Sequence, residues 1–96
     1  EQLLATFPDE ISSIMYTCTG SEANDLAVRV AEQYSGGTGV IVTEEAYHGN
    51  SALISAMSPS LGVGVPLGAN VRTVPAPDSY RIDPAKSSQY TTIYCI

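Results

Sequence analysis

Between Glu22 and Tyr34 the apolar side chains recur at Ala23, Leu26, Ala27, Val30, Ala31 and Tyr34, the spacing of one helical face. Asp25 and Arg29 lie four residues apart on another face and are placed to pair, and Gly36-Gly37 supplies a left-handed C-terminal cap. On either side the pattern changes. "SSIMYT" (12–17) is a short, mostly apolar run ending at Gly20, and "GVIVTE" (39–44) has three consecutive apolar β-formers, as a strand buried on both faces of a parallel sheet would. Strand, helix and strand in that order predict a right-handed crossover unit, with ligands gathering at the carboxyl ends of the strands.

Upstream, "EQLLATFPDE" reads as the end of a helix, with Leu3, Leu4 and Phe7 on one face and Pro8 as the stop. Downstream, "AYHGNSALISAMSPS" begins as a loop and turns helical from about Ser51 to Met57, stopping at Pro59. The glycine-rich "LGVGVPLGA" (61–69) reads as a loop, and "NVRTVPAP" contains one more short strand that prolines end. The tail "SYRIDPAKSSQYTTIYCI" has no period that specifies an element.

Composition narrows the partners. Ninety-six residues, 44% apolar and 15% charged, suit one small soluble globular unit with a modest core. A net charge of −6, with only Arg29, Arg72, Arg81 and Lys86 as fixed cations, argues against nucleic acid and anionic membrane surfaces. Cys18 and Cys95 have neither CxxC nor metal-ligand spacing, so no disulfide framework or metal site is expected, and a reducing, cytoplasmic setting fits. No apolar stretch approaches the ~18 residues of a membrane span, and the opening Glu1 reads as the interior of a longer chain.

Two places carry candidate chemistry. Gly20 and Ser21 stand where a strand gives way to a helix, so the first helical amides have no intrahelical partner and attract an anion, while Gly20 permits close approach and Ser21 adds a hydroxyl. The same residues also fit a plain capping box, with Thr19 as cap and Glu22 folding back. The second place, "EEAYHGN", follows the second strand and should share an edge of the sheet with Gly20. There Tyr47 could stack on a planar ligand and Gly49 lets the backbone turn closely, whereas Tyr47 as a packing residue and His48 as a hydrogen-bonded structural histidine is the plainer alternative. Neither GxGxxG nor GxxxxGK[ST] occurs, so nucleotide binding is disfavoured.

Together, "TGSEANDLAVRVA" and "GVIVTEEAYHGN" resemble the class III, ornithine and 4-aminobutyrate type, aminotransferases that use pyridoxal 5'-phosphate. The resemblance covers residues 1–80 and implies a piece of the fold type I large domain, a three-layer α/β/α architecture around a mainly parallel sheet. It gives Gly20 and Ser21 the cofactor phosphate, Tyr47 the stack on the pyridine ring, and His48 the support of that ring's position. It further implies amino transfer between an amino acid or amine and a 2-oxo acid, in a homodimer.

The departures from the family are equally specific. Its members are several times longer, and both the lysine that bonds the cofactor and the aspartate that pairs with the ring nitrogen lie beyond the matching region. Lys86, the only lysine, sits in "DPAKSSQ" away from any family motif, and residues 81–96 no longer resemble the family. Catalytic residues are therefore not expected in this chain, which should be inactive alone. Members acting on acetylornithine have an arginine after the aromatic-His-Gly motif; here Asn50 stands there, which disfavours that substrate. The competing reading is a stand-alone α/β module that binds an anion or a partner without catalysis.

Overall fold

A computed structural model describes residues 2–78 together with Tyr80 and Arg81. Its main helix, α1 (Gly20–Ser35), is closed at both ends by the residues that the sequence marks. Thr19 is extended and its Oγ1 accepts from the Glu22 amide at 3.1 Å, while the Glu22 carboxylate reaches back to the Cys18 amide at 2.9 Å. Gly36 adopts φ 71° and donates its amide to Glu32 O at 2.9 Å. The Asp25–Arg29 pair forms at 3.0 Å.

Strand β1 (Val40–Thr43) pairs in parallel with β2 (Val71–Val74), Val40 opposite Val71 and Thr43 opposite Val74. The connection between them carries the short helix α2 (Ala52–Ser55) and a 3-10 turn at Pro59–Leu61. Residues opposite one another in a parallel ladder share a face. Val40, Val42 and Val71 thus project together, and Val42 and Val71 are buried with Ile54 and Met57 while Val28, Val40, Ala46 and Leu53 pack around them. The described residues therefore form an α/β unit with a parallel sheet.

Four expectations need correction. Residues 12–17 form no strand: they pair with neither β1 nor β2, and Met15 and Tyr16 are 73% and 74% exposed. An apolar run becomes a strand only when a neighbouring edge takes its hydrogen bonds, and no described strand lies beside this one. The strand–helix–strand unit around α1 is consequently not closed, and the parallel crossover runs from β1 to β2 instead. At the N-terminal end the expected helix shrinks to one 3-10 turn, Leu4–Thr6. Phe7 is extended because it precedes Pro8, whose ring disfavours the helical region for the residue before it.

The third correction concerns β1, which is covered on one face only: Ile41 is 60% exposed. The fourth concerns α1, which meets the core through Val28, whereas Val30 and Tyr34 on its expected apolar face are exposed. Lys86, Cys95 and the tail beyond Arg81 lie outside the described residues.

Candidate functional site

The loop Glu44–Asn50 leaves the carboxyl end of β1 and folds against the first two turns of α1. Its closest approach is at Gly49, which is buried and has φ 137°. A Cβ there would lie 2.8 Å from Ser21 Cα, so only glycine satisfies both the backbone angle and the space. Hydrogen bonds then fasten loop to helix. Asn24 Nδ2 donates to His48 O at 2.7 Å, and the Asn50 amide donates to Ser21 Oγ at 3.1 Å. Ser21 Oγ donates in turn to Asn50 Oδ1 at 3.2 Å, and Ser51 Oγ donates to Asp25 Oδ2 at 3.1 Å.

The structure thus brings Gly20, Ser21, His48 and Asn50 to one end of the sheet, with Tyr47 in the same loop and 58% exposed. The capping box is formed, yet it accounts for only part of the helix start. Thr19 takes the Glu22 amide through Oγ1 and the Ala23 amide through its carbonyl, and the amides of Gly20 and Ser21 have no acceptor among the described residues. Capping and a free amide pair therefore coexist. The Ser21 hydroxyl, expected to face a ligand, is shared with Asn50.

Gly20 differs from Gly49. It is not among the glycines with positive φ, and a Cβ at position 20 would meet nothing within 4 Å. Neither backbone conformation nor packing among the described residues requires glycine there. The space at the Gly20 Cβ position, next to the first of the two free amides, is open among the described residues. Nearby carboxylates are engaged elsewhere: Glu22 with the Cys18 amide, Asp25 with Arg29 and Ser51.

His48 is held by its backbone, the carbonyl by Asn24 and the amide by Ser58 Oγ at 3.0 Å. His48 also lines a cleft of about 210 Å³ with Asn24, Val28, Val42, Ile54 and Met57. Sequence reasoning did not single out Asn24 or Ser58. Asn24 could have been found, since Ser21, Asn24 and Asp25 stand three and four apart and form one polar stripe at the helix start. Ser58 gives no such signal.

No family model matches the chain. It is 38% identical over 84 residues to ethanolamine-phosphate phospho-lyase homolog 1 of Caenorhabditis elegans, covering 84% of this chain and 18% of that protein. It is 35% identical over 52 residues to alanine–glyoxylate aminotransferase 2 homolog 2, mitochondrial, of Arabidopsis thaliana, covering 54% of this chain and 11% of the relative. To the alanine–glyoxylate aminotransferase 2-like protein of Drosophila melanogaster it is 33% identical over 81 residues, covering 81% of this chain and 16% of the relative. Among solved structures, a phospholyase from Arthrobacter in complex with phosphoethanolamine superposes with a TM-score of 0.78 at 40% identity, covering 88% of this chain and 20% of that one. The chain spans a fifth or less of the length of each of these relatives.

Proposed function

We propose that the chain is one segment, 1–96, of the large domain of a class III pyridoxal-phosphate-dependent enzyme and contributes that family's cofactor-phosphate and ring-stacking elements. The amides of Gly20 and Ser21 hold the phosphate of pyridoxal 5'-phosphate, Tyr47 lies against the ring, and His48 carries the tyrosine through a backbone bonded on both sides. The observation that carries this reading is Gly20: a glycine with unstrained φ and open space at its Cβ, beside two amides without acceptors. A phosphate there gains the positive end of a sixteen-residue helix as well as the two amides. The Ser21 hydroxyl contributes by turning its proton from Asn50 Oδ1 toward the anion, while its lone pair keeps the Asn50 amide.

When bound, the cofactor supplies an electron sink for bonds at the carbon that bears the substrate amine. This chain binds and orients; the lysine and aspartate that complete the chemistry have no counterpart at a matching position in it. The reaction of the whole enzyme is amino transfer between an amine or amino acid and a 2-oxo acid, in a cytoplasmic homodimer. A second reading is favoured by the higher identity to the phospho-lyases, 38% and 40%, than to the aminotransferases, 35% and 33%. It is elimination of phosphate from a phosphorylated amine at the same cofactor site.

Titration of the isotope-labelled chain with pyridoxal phosphate, and separately with inorganic phosphate, tests the site. Both ligands should shift the Gly20 and Ser21 amide resonances, and only the former should shift the Tyr47 ring. Binding that leaves both amides unmoved would remove the proposal.

A further inference from the structure

Ser58 is the most enclosed polar side chain among the described residues, 0% exposed, and its hydroxyl both accepts and donates. It accepts from the His48 amide at 3.0 Å and donates to Ile54 O at 2.8 Å, with Gly49 O at 3.3 Å as an alternative acceptor. Two residues on, the Ser60 amide donates to Ala46 O at 3.1 Å. The segment 58–60 therefore grips the loop at Ala46 and at His48, the residues on either side of Tyr47. Tyr47 itself is exposed and is held by its neighbours' backbone. A buried hydroxyl that only filled space would be replaced by alanine or cysteine at little cost in geometry; one that completes a clamp would not be.

We infer that Ser58 is a positioning residue for Tyr47: its hydroxyl fixes the His48 amide against the end of α2 and so sets the backbone from which the tyrosine side chain projects. The consequence for the cofactor rests on the reading given above; the clamp does not. Position 58 is also well chosen physically. Ile54 and Met57, which flank it in the connection after β1, are core residues, so the serine is anchored in the most buried part of the fold. The loop inherits that rigidity through the bonds of Ser58 to His48 and of Ser60 to Ala46.

The test uses Ser58→Ala, Ser58→Cys and Ser58→Thr in the 96-residue chain, with amide exchange read residue by residue. Cysteine keeps the volume but bonds weakly, and threonine keeps the hydroxyl, so packing and hydrogen bonding separate. The His48 amide should exchange at least about tenfold faster in the Ala and Cys variants, after normalising to Val42 in β1, and recover in Thr; a tenfold change corresponds to about 1.4 kcal/mol. Tyr47 ring resonances should move in the same two variants. If His48 and Val42 accelerate together, or if Cys behaves as Ser, the inference is overturned. A His48 response in a chain that fails to bind pyridoxal phosphate would overturn the cofactor reading and leave the clamp standing. Normal binding with an unchanged His48 amide would overturn the clamp alone.

Discussion

Gly49 rests on Ser21: the buried glycine of the loop after β1 meets the backbone of the second residue of α1, at φ 137°. This one approach sets the distance between the helix start and the Tyr47 loop. Gly49→Ala adds a methyl 2.8 Å from Ser21 Cα and forces the loop off a backbone angle that L residues avoid. Overpacking and backbone strain of this kind cost about 1–3 kcal/mol. Urea unfolding should show a lower midpoint with an unchanged slope, and the Ser21–Asn50 bonds should be lost. Gly20→Ala provides the contrast, because nothing crowds its Cβ. Its unfolding midpoint should equal or exceed that of the wild type, while its affinity for phosphate falls.

The helix cap makes a separate, local prediction. Thr19→Ala removes the acceptor for the Glu22 amide and should destabilise the chain by about 1 kcal/mol, whereas Thr19→Ser should retain most of it. Circular dichroism during thermal unfolding is the measurement, and equal losses in the two variants would assign the effect to the threonine methyl.

What could be read from the sequence divides along a physical line. Thr19, Glu22, Asp25, Arg29 and Gly36 act on neighbours within four residues, and all five form the bonds expected of them. Apart from the N-terminal helix, which shrinks to one turn, the failures involve surfaces. The apolar run 12–17, Ile41, Val30 and Tyr34 all read as buried, and sequence pattern reports the burial a residue type prefers without saying which layer provides it. Among the described residues no layer covers Ile41, Val30 or Tyr34. At the candidate site, the convergence of Gly20 and Ser21 with the Tyr47 loop was expected from a strand order whose first strand, 12–17, does not form; it rests instead on the approach of Gly49 to Ser21 and on the bonds of Ser21 and Asn24 to the loop. Ser58 was invisible because its bonds to His48 and Ile54 depend on how α2 ends, and no spacing encodes that.

Tyr47 should matter through its ring. In the chain, pyridoxal phosphate affinity should fall about fivefold for Tyr47→Ala and little for Tyr47→Phe, since offset stacking contributes roughly 0.5–1.5 kcal/mol and needs no hydroxyl. Inorganic phosphate affinity should be the same in both variants. An equal loss of cofactor affinity in Ala and Phe would make the tyrosine a hydrogen-bond donor instead.

The chain by itself should bind cofactor weakly and turn nothing over. Its phosphate elements are one anchor, and a ligand held by one anchor gains part of the contacts while still losing its translational and rotational freedom. Amino-group chemistry further requires a lysine positioned to bond the cofactor and a carboxylate opposite the ring nitrogen. The sequence contains a single lysine, Lys86, in a stretch unlike any motif of the family. With pyridoxal phosphate in excess, borohydride reduction followed by mass analysis should find at most slow, nonselective labelling of Lys86 or the N-terminus. Assays with several amino donors, and with phosphoethanolamine for phosphate release, should stay at the rate of free cofactor. Turnover that Lys86→Ala abolishes would mean that this chain carries its own catalytic lysine, and that residues 81–96 belong to the active site.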